Sequence, residues 1–568
     1  MVSEVGLAGH EAAHEQGRRA VSQLVDRSPL PRLYLALIIA ITLGGLLLRL
    51  PSFNDSLAGD EISTFYIVVG HSLTRVMNLV YSRQETTPPL YFILAWVTKG
   101  FLGNTAQSIR LTSLLAGTAA IPLTFLLGLW TVGRRAALVA ATLVACSPYM
   151  IFYSTEARTY MLVVFLALLS SISLLRALDT NRLLWWAGYA ASTCAAVYSH
   201  YSVVFFLVAQ LVWAFWSQPT ERRALVISNV AAAIGFLPWL GGLRADLAAP
   251  NLITYLVPVD AHDIDGILEN FWIGHPIIKI TVLPGNFALV LAVAGLALGV
   301  LGLVLKWRKH HRPRWQIAPR VVLIIVLALV PAVLMILYSW LRVDVLGGGN
   351  MIASWPAMAL AIGALVTTPP RPLRVAAVTL TIGAFVIGGA KMLTGAAQRG
   401  NADAAVAFID QNGRSGDPVV SVPLFSNPLS ELDAALAGTS SSTYTPGNME
   451  DRARRPTGKD PHPVLRLGVP PLAEQLPYLA SPNPEPVFFG LSSTPAPEVA
   501  RQAASLARNG TLFLVTYFAV RPDVLEKYDP NSPISQFLKA LPPGFQIVEH
   551  VTYPGDIPEY VYVFRESR

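Results

Sequence analysis

Apolar runs separated by short polar or basic stretches dominate the chain. Runs of about 17 to 23 residues, each long enough to cross roughly 30 Å of hydrocarbon as a helix, recur over about the first 390 positions. They predict spans near 33 to 50, 110 to 130, 136 to 152, 159 to 176, 184 to 200, 201 to 217, 223 to 242, 286 to 305, 320 to 341, 350 to 367 and 372 to 391, about eleven in all. The leader before the first run is polar and mixed in charge and ends on Arg27 and Arg32, which predicts an uncleaved first span rather than a signal peptide. From Gln398 onward prolines, glycines and polar residues increase. Strand-like runs at 418–423, 486–491, 511–518, 545–551 and 560–564, with a helical stretch at 401–412, predict a small α/β domain. The stretch from Gly438 to Asp460, rich in Ser, Thr, Gly, Pro and Arg, reads as a loop inside it. The resulting division is a polar tail (1–32), a membrane domain (33–391) and a water-soluble α/β domain (392–568).

One segment is ambiguous: Pro88 through Leu102 is apolar but short and contains Lys99. If it does not cross, the basic loops at Arg134-Arg135, Arg176 with Arg182, Arg222-Arg223, Lys306 to Arg312, and Arg371 with Arg374 all fall on the side of the N-terminus. The positive-inside rule makes that side cytoplasmic. The segment therefore reads as a helix at the outer surface, and so does the amphipathic stretch Ile62 to Tyr81. Six segments then share the outer face: about 51 to 109, 150 to 158, the His200-Tyr201 junction, 243 to 285, 342 to 349, and everything after about 392.

Composition narrows the class further. With 53% hydrophobic and 14% charged residues and a mean hydropathy of +0.49, the chain is too apolar for a soluble protein. The formal charge of +7 sits in clusters between apolar runs, where it sets topology, and carries no nucleic-acid function. Cys146 and Cys194 lie in apolar runs and supply neither a disulfide framework nor a cysteine metal site.

Candidate chemistry collects in the outer segments. Asp60-Glu61 opens an amphipathic stretch directly after the first span, where two carboxylates can supply a general base and a second anionic ligand; the same pair also suits an acidic helix start. Arg158, in Tyr153-Ser154-Thr155-Glu156-Ala157-Arg158-Thr159-Tyr160, can bind a phosphate through its planar fork, or pair with Glu156 at the membrane rim. His200 breaks a long apolar stretch at a required outer turn and can donate to a phosphate or bind metal, or be a satisfied interfacial histidine beside Tyr198 and Tyr201. His262, Asp263, Asp265 and His275 can coordinate a divalent ion, though their spacing matches no metal motif.

Taken in order, several of these elements resemble the lipid-linked-sugar glycosyltransferases of the GT-C fold, in the branch of the protein O-mannosyltransferases and aminoarabinose transferases. The resemblance rests on Asp60-Glu61, Thr87-Pro88-Pro89-Leu90-Tyr91-Phe92, Arg110, Gly133-Arg134-Arg135, Ser147-Pro148, Glu156-Ala157-Arg158-Thr159-Tyr160 and His200-Tyr201, over about residues 33 to 217. Two positions depart from the family: Thr87 stands where histidine often precedes the paired prolines, and Gly349-Asn350-Met351 where a late span often opens with Arg-Tyr.

The resemblance implies an inverting transfer of a sugar of the mannose or arabinofuranose type, from a polyprenyl-phosphate donor to a cell-envelope glycan or lipoglycan on the outer face of a bacterial plasma membrane. It implies Asp60 and Glu61 as catalytic residues, Arg158, His200 and Tyr201 around the donor phosphate, and Glu156, Tyr153, Tyr160, Pro88 and Tyr91 around the substrate. A divalent cation, Mg or Mn, held by Glu61, His262 or Asp263 belongs to the same expectation. A transporter or flippase of a lipid-linked glycan and a protein O-glycosyltransferase are the alternatives. The transporter predicts charged residues near the midplane of several spans, and the sequence has almost none.

Overall fold

The structure is a computed structural model that describes residues 30–57, 60–81, 86–247, 261–309, 318–342, 345–397, 399, 401–414, 416–422, 464–467, 495–507, 510–516, 520, 530–553 and 559–567. Each of the eleven apolar runs is helical. Among the described residues eight helices are long and apolar enough to cross a membrane: Arg32–Phe53, Ala106–Thr131, Tyr160–Thr180, Pro219–Leu247, Thr281–Arg308, Pro319–Leu341, Gly348–Thr367 and Arg371–Lys391. A ninth is the pair Arg134–Cys146 and Pro148–Ser154, bent by 60°. The remaining two runs form the shorter helices Leu183–Ser199, of 17 residues, and Val203–Ser217, of 15. At 1.5 Å per residue these reach about 26 and 23 Å, short of a full hydrocarbon core, which is why length alone counts fewer spans than the apolar runs do.

The bend has a local cause. Ser147 caps the second helix by accepting from the Met150 N–H at 3.3 Å, and Pro148 has no N–H to continue the first. The carbonyls freed at the break are taken by Arg49, wholly buried in helix 32–53, which donates to Ala145 O at 3.0 Å and Val144 O at 3.1 Å. Gly45 lets the two helices approach this closely, since a Cβ there would stand 3.1 Å from Ala145 Cβ.

Three short helices follow the first span. The stretch from Ile62 to Tyr81, expected to be one interfacial helix, falls in two: Asp60–Val68 and Leu73–Tyr81, separated by a turn in which Gly70 has φ 76°. The first is largely buried. Leu90–Leu102 has 13 residues and is too short to span. Lys99, out of place in so apolar a helix, caps the end of helix 60–68 by donating to Val68 O at 3.1 Å and His71 O at 2.8 Å.

The six segments expected on one face are joined by contacts. Glu61 accepts from the Ala157 N–H and pairs with Arg399, Thr159 donates to Ser199 O at 2.8 Å, Ser202 to Asn350 O at 3.1 Å, and Trp355 to Phe271 O at 2.8 Å. At the opposite end Arg320 pairs with Asp179 and donates to Trp130 O, and Arg176 lies over the rings of Trp130 and Trp185.

The C-terminal region forms a five-stranded sheet from β1 (Val419–Ser421), β2 (Val464–Arg466), β3 (Thr511–Thr516), β4 (Phe545–Tyr553) and β5 (Glu559–Glu566), in the order β2-β1-β3-β5-β4. β1 is parallel to β2 and β3, whereas β5 is antiparallel to β3 and β4. Helix Ala402–Asn412 covers one face through Val406 and Ile409, and helices Ala496–Leu506 and Pro533–Ala540 cover the other through Val499 and Phe537. The expected strand at 486–491 and loop at 438–460 lie outside the described residues.

Candidate active site

The site is built around Glu61, which has no solvent exposure. Arg110 grips it side-on, Nε to Oε1 at 2.7 Å and Nη2 to Oε2 at 2.5 Å. Arg399, from the chain between the last span and the sheet domain, adds Nη1 at 2.7 Å from Oε2, and the Ala157 N–H donates to Oε1 at 2.7 Å. The rest of the Arg110 fork goes to the carbonyls of Phe53, Asp55 and Ser56. Burial alone would raise the Glu61 carboxyl, but the guanidiniums of Arg110 and Arg399 with these hydrogen bonds hold it down at about 2. Its oxygens are engaged by cations and N–H donors. A divalent ion does not fit there without displacing an arginine.

Glu61 thereby fixes its chain neighbour Asp60 relative to Arg158, the residue after Ala157. Arg158 Nε lies 3.9 Å from Asp60 Oδ2, with the aspartate side chain 56% exposed and the arginine 12%. Arg158 Nη2 also approaches the Thr87 hydroxyl at 3.4 Å, so Thr87 stands at the site. The backbone of Arg158 is anchored through Ser113, whose hydroxyl donates to Arg158 O at 3.0 Å. Tyr91 is buried and donates to Ile109 O at 2.8 Å, with its hydroxyl oxygen 2.9 Å from that of Ser113, so it packs behind the Arg158 anchor. Pro88 is buried in the same turn.

Glu156 is buried and its Oε2 has no hydrogen-bond partner among the described residues. Burial first, then the charges of Asp60 and Glu61, push its carboxyl up to about 8 against the opposing pull of Arg399 and Arg158. At neutral pH it is mainly a neutral acid, able to donate a hydrogen bond. Next to it runs a file of rings, Tyr149 to Tyr153 at 4.9 Å, Tyr153 to Tyr160 at 4.7 Å and Tyr160 to His200 at 5.8 Å between centroids. His200 Nδ1 lies 3.2 Å from the Ser202 amide nitrogen and 2.8 Å from the Ser202 hydroxyl oxygen, which hold the ring in place.

Tyr201 is engaged elsewhere. Its hydroxyl donates to Asp246 Oδ2 at 2.6 Å and accepts from Trp239 Nε1 at 3.0 Å. His275 is buried edge-on to Phe152 at 4.7 Å, its Nδ1 accepting from the N–H groups of Ile277 and Ile278, and burial together with Arg399 lowers it to about 3. His262, Asp263 and Asp265 fall in the first turns of helix Ala261–Ile273, and their side chains lie outside the described residues. Among the described residues no three His, Cys, Asp or Glu side chains gather as a metal site.

Arg399 and Asp55 are the participants that sequence reasoning missed. The only available signal was parity, which puts residue 399 on the same face as residue 61.

The family described as dolichyl-phosphate-mannose-protein mannosyltransferase matches residues 86–241. No curated protein sequence matches the chain. Among solved structures, ArnT from Cupriavidus metallidurans bound to undecaprenyl phosphate is 12% identical, with a TM-score of 0.45 over 94% of this chain and 98% of that one. The oligosaccharyltransferase AglB from Archaeoglobus fulgidus, in complex with an inhibitory peptide and a dolichol-phosphate, is 12% identical with a TM-score of 0.46 over 85% and 69%. The Pmt1-Pmt2 protein O-mannosyltransferase complex of S. cerevisiae, bound to the sugar donor, is 14% identical with a TM-score of 0.30 over 46% and 39%. The matched stretch contains Thr87, Arg110, Glu156, Arg158 and His200, and over it the resemblance to the GT-C glycosyltransferases of the protein O-mannosyltransferase branch holds.

Proposed function

We propose that the chain is a membrane glycosyltransferase that moves a sugar from a polyprenyl-phosphate donor to an acceptor hydroxyl. The observation that carries this reading is the Asp60–Arg158 pair, a half-exposed carboxylate facing a guanidinium at 3.9 Å above a buried two-arginine anchor. The acceptor hydroxyl gives its proton to Asp60 as its oxygen attacks the anomeric carbon. The bond from that carbon to the phosphate oxygen breaks, its electron pair leaves on the polyprenyl phosphate, and Arg158 with His200 stabilises the charge. Base and leaving group on opposite faces of the sugar give inversion. Glu156, as a neutral acid beside the tyrosine file, donates to a sugar oxygen. Glu61 acts through its neighbours, and no step is assigned to a divalent ion.

The donor sugar is of the mannose or arabinofuranose type, and the acceptor a cell-envelope glycan or lipoglycan. The clustering of basic loops at the end opposite the site supports a cytoplasmic N-terminus, an outward-facing site and an extracytoplasmic C-terminal domain in a bacterial plasma membrane. The test is transfer by the purified chain from polyprenyl-phosphate-linked mannose and arabinofuranose, with the envelope glycan missing from a deletion strain as acceptor. Asp60→Asn is expected to cut turnover about 10²- to 10⁴-fold with folding intact. Wild-type turnover in Asp60→Asn, or transport of the donor without transfer, would refute the reading.

A further inference from the structure

We infer that Arg399 is a positioning residue of this site, contributed by the chain that leads into the sheet domain. Asp60 and Arg158 touch only loosely, so their own contact does not fix their separation. Deeper groups must fix it. Arg399 is 4% exposed and binds both chain segments that carry them. Toward the Asp60 segment, its Nη1 holds Glu61 Oε2 at 2.7 Å and its backbone N–H reaches Asp55 Oδ2 at 3.3 Å. Toward the Arg158 segment, its Nη2 donates to Phe152 O at 2.9 Å and its guanidinium lies 4.4 Å from the Phe152 ring centroid.

Arg110 already neutralises Glu61. A second buried guanidinium on the same oxygen adds a like charge and a desolvation cost, which ion pairing alone does not justify. What Arg399 adds is a bracket between helices 60–68 and 148–154. It closes only when the linker into the sheet domain is seated. The site on the membrane domain is therefore completed by a residue that follows the last span.

This inference rests on the glycosyltransfer reading, so the experiment carries one readout that needs no turnover. Arg399→Gln and Arg399→Lys would be made in the full-length chain, and kcat, donor KM and thermal stability followed against pH. Arg399→Gln is expected to lower kcat about 100-fold, the scale of an ångström-level misplacement of reacting groups, with donor KM changed little. Arg399→Lys should recover part of that loss. The charged groups that act on the Glu61 carboxyl are Arg110 and Arg399, which lower it, against Asp55 and Glu156 nearby. Losing Arg399 raises it, so the acid limb of thermal stability moves to higher pH in Arg399→Gln and stays near wild type in Arg399→Lys. If Arg399→Gln does not fold, Arg399→Lys decides by the same kcat and KM split. Wild-type kcat in Arg399→Gln, or a loss with an unmoved acid limb, overturns the bracket. A wild-type chain without turnover but with the acid limb shifted in Arg399→Gln overturns the glycosyltransfer reading and leaves the bracket standing.

Discussion

Arg110 and Glu61 form a side-on pair, two parallel hydrogen bonds of 2.7 and 2.5 Å between side chains with no solvent exposure. The residues are 49 positions apart, and their pairing ties the start of helix 106–131 to the start of helix 60–68. Planar fork against planar carboxylate is the geometry in which a buried ion pair holds orientation as well as charge.

Removing the carboxylate charge leaves Arg110 and Arg399 buried together without their shared anion. Glu61→Gln is expected to cost about 3–5 kcal/mol, the range for breaking a buried pair by deleting one partner. Adding Arg399→Met should restore part of the loss, because one uncompensated cation goes with it. Denaturation of both variants checks this, and a double variant no more stable than the single would argue against a shared anion.

At Arg158 the prediction concerns shape as well as charge. Arg158→Ala is expected to reduce kcat by about 10²- to 10³-fold, as for loss of one donor to a developing oxyanion. Arg158→Lys keeps the charge but not the fork and should recover only a minor part. Inhibition by polyprenyl phosphate should weaken in both variants. Unchanged inhibition would move the phosphate site away from residue 158.

Glu156 and Glu61 give opposite pH dependences. The folded-state value of Glu156 is raised to about 8 from an ordinary 4.5, so between those values the folded chain holds a proton that the unfolded chain has released. Its contribution is fully present below pH 4.5 and lost as pH rises to 8. Glu61 is held at about 2, so its stabilisation is present above 4.5 and lost as pH falls toward 2. Glu156→Gln mimics the neutral acid and should flatten the alkaline decline, making the variant more stable than wild type at pH 9. Thermal melts from pH 5 to 9 measure this directly, and a decline that persists in Glu156→Gln would assign it to another group.

How much of this was legible depends on whether the determining signal is local. Eleven helical runs could be read because hydrocarbon thickness imposes a length on the sequence itself, and the parity of those runs with the basic loops put Asp60 and Arg158 on one face. Lys99 argued correctly against a span, but its use as a cap for helix 60–68 depended on where Val68 and His71 would lie. Arg399 left only the parity that puts it on the same face as residue 61, since a single arginine after the last span has no period or spacing to mark it. Tyr201 looked like a phosphate ligand next to His200, and only the approach of Asp246, 45 positions on, shows its hydroxyl engaged elsewhere. Strand β2 is three residues long and too short for any alternation to show.

Arg49 extends the same reasoning into the membrane domain. A guanidinium inside the first span would be costly were it not binding Val144 O and Ala145 O, carbonyls that the bend at Ser147-Pro148 leaves without helical partners. Arg49→Met removes those donors, and each lost hydrogen bond to a charged group is expected to cost about 1.5–3 kcal/mol. The effect should be directional. Helix 148–154 hangs from this bend and carries Phe152, whose carbonyl Arg399 holds, so loosening it reaches the Asp60–Arg158 pair from below. Hydrogen exchange should therefore quicken across residues 148 to 158 in Arg49→Met, and not in Arg320→Met at the opposite end of the bundle. Equal exchange in the two variants would mean that the bend is held by packing alone.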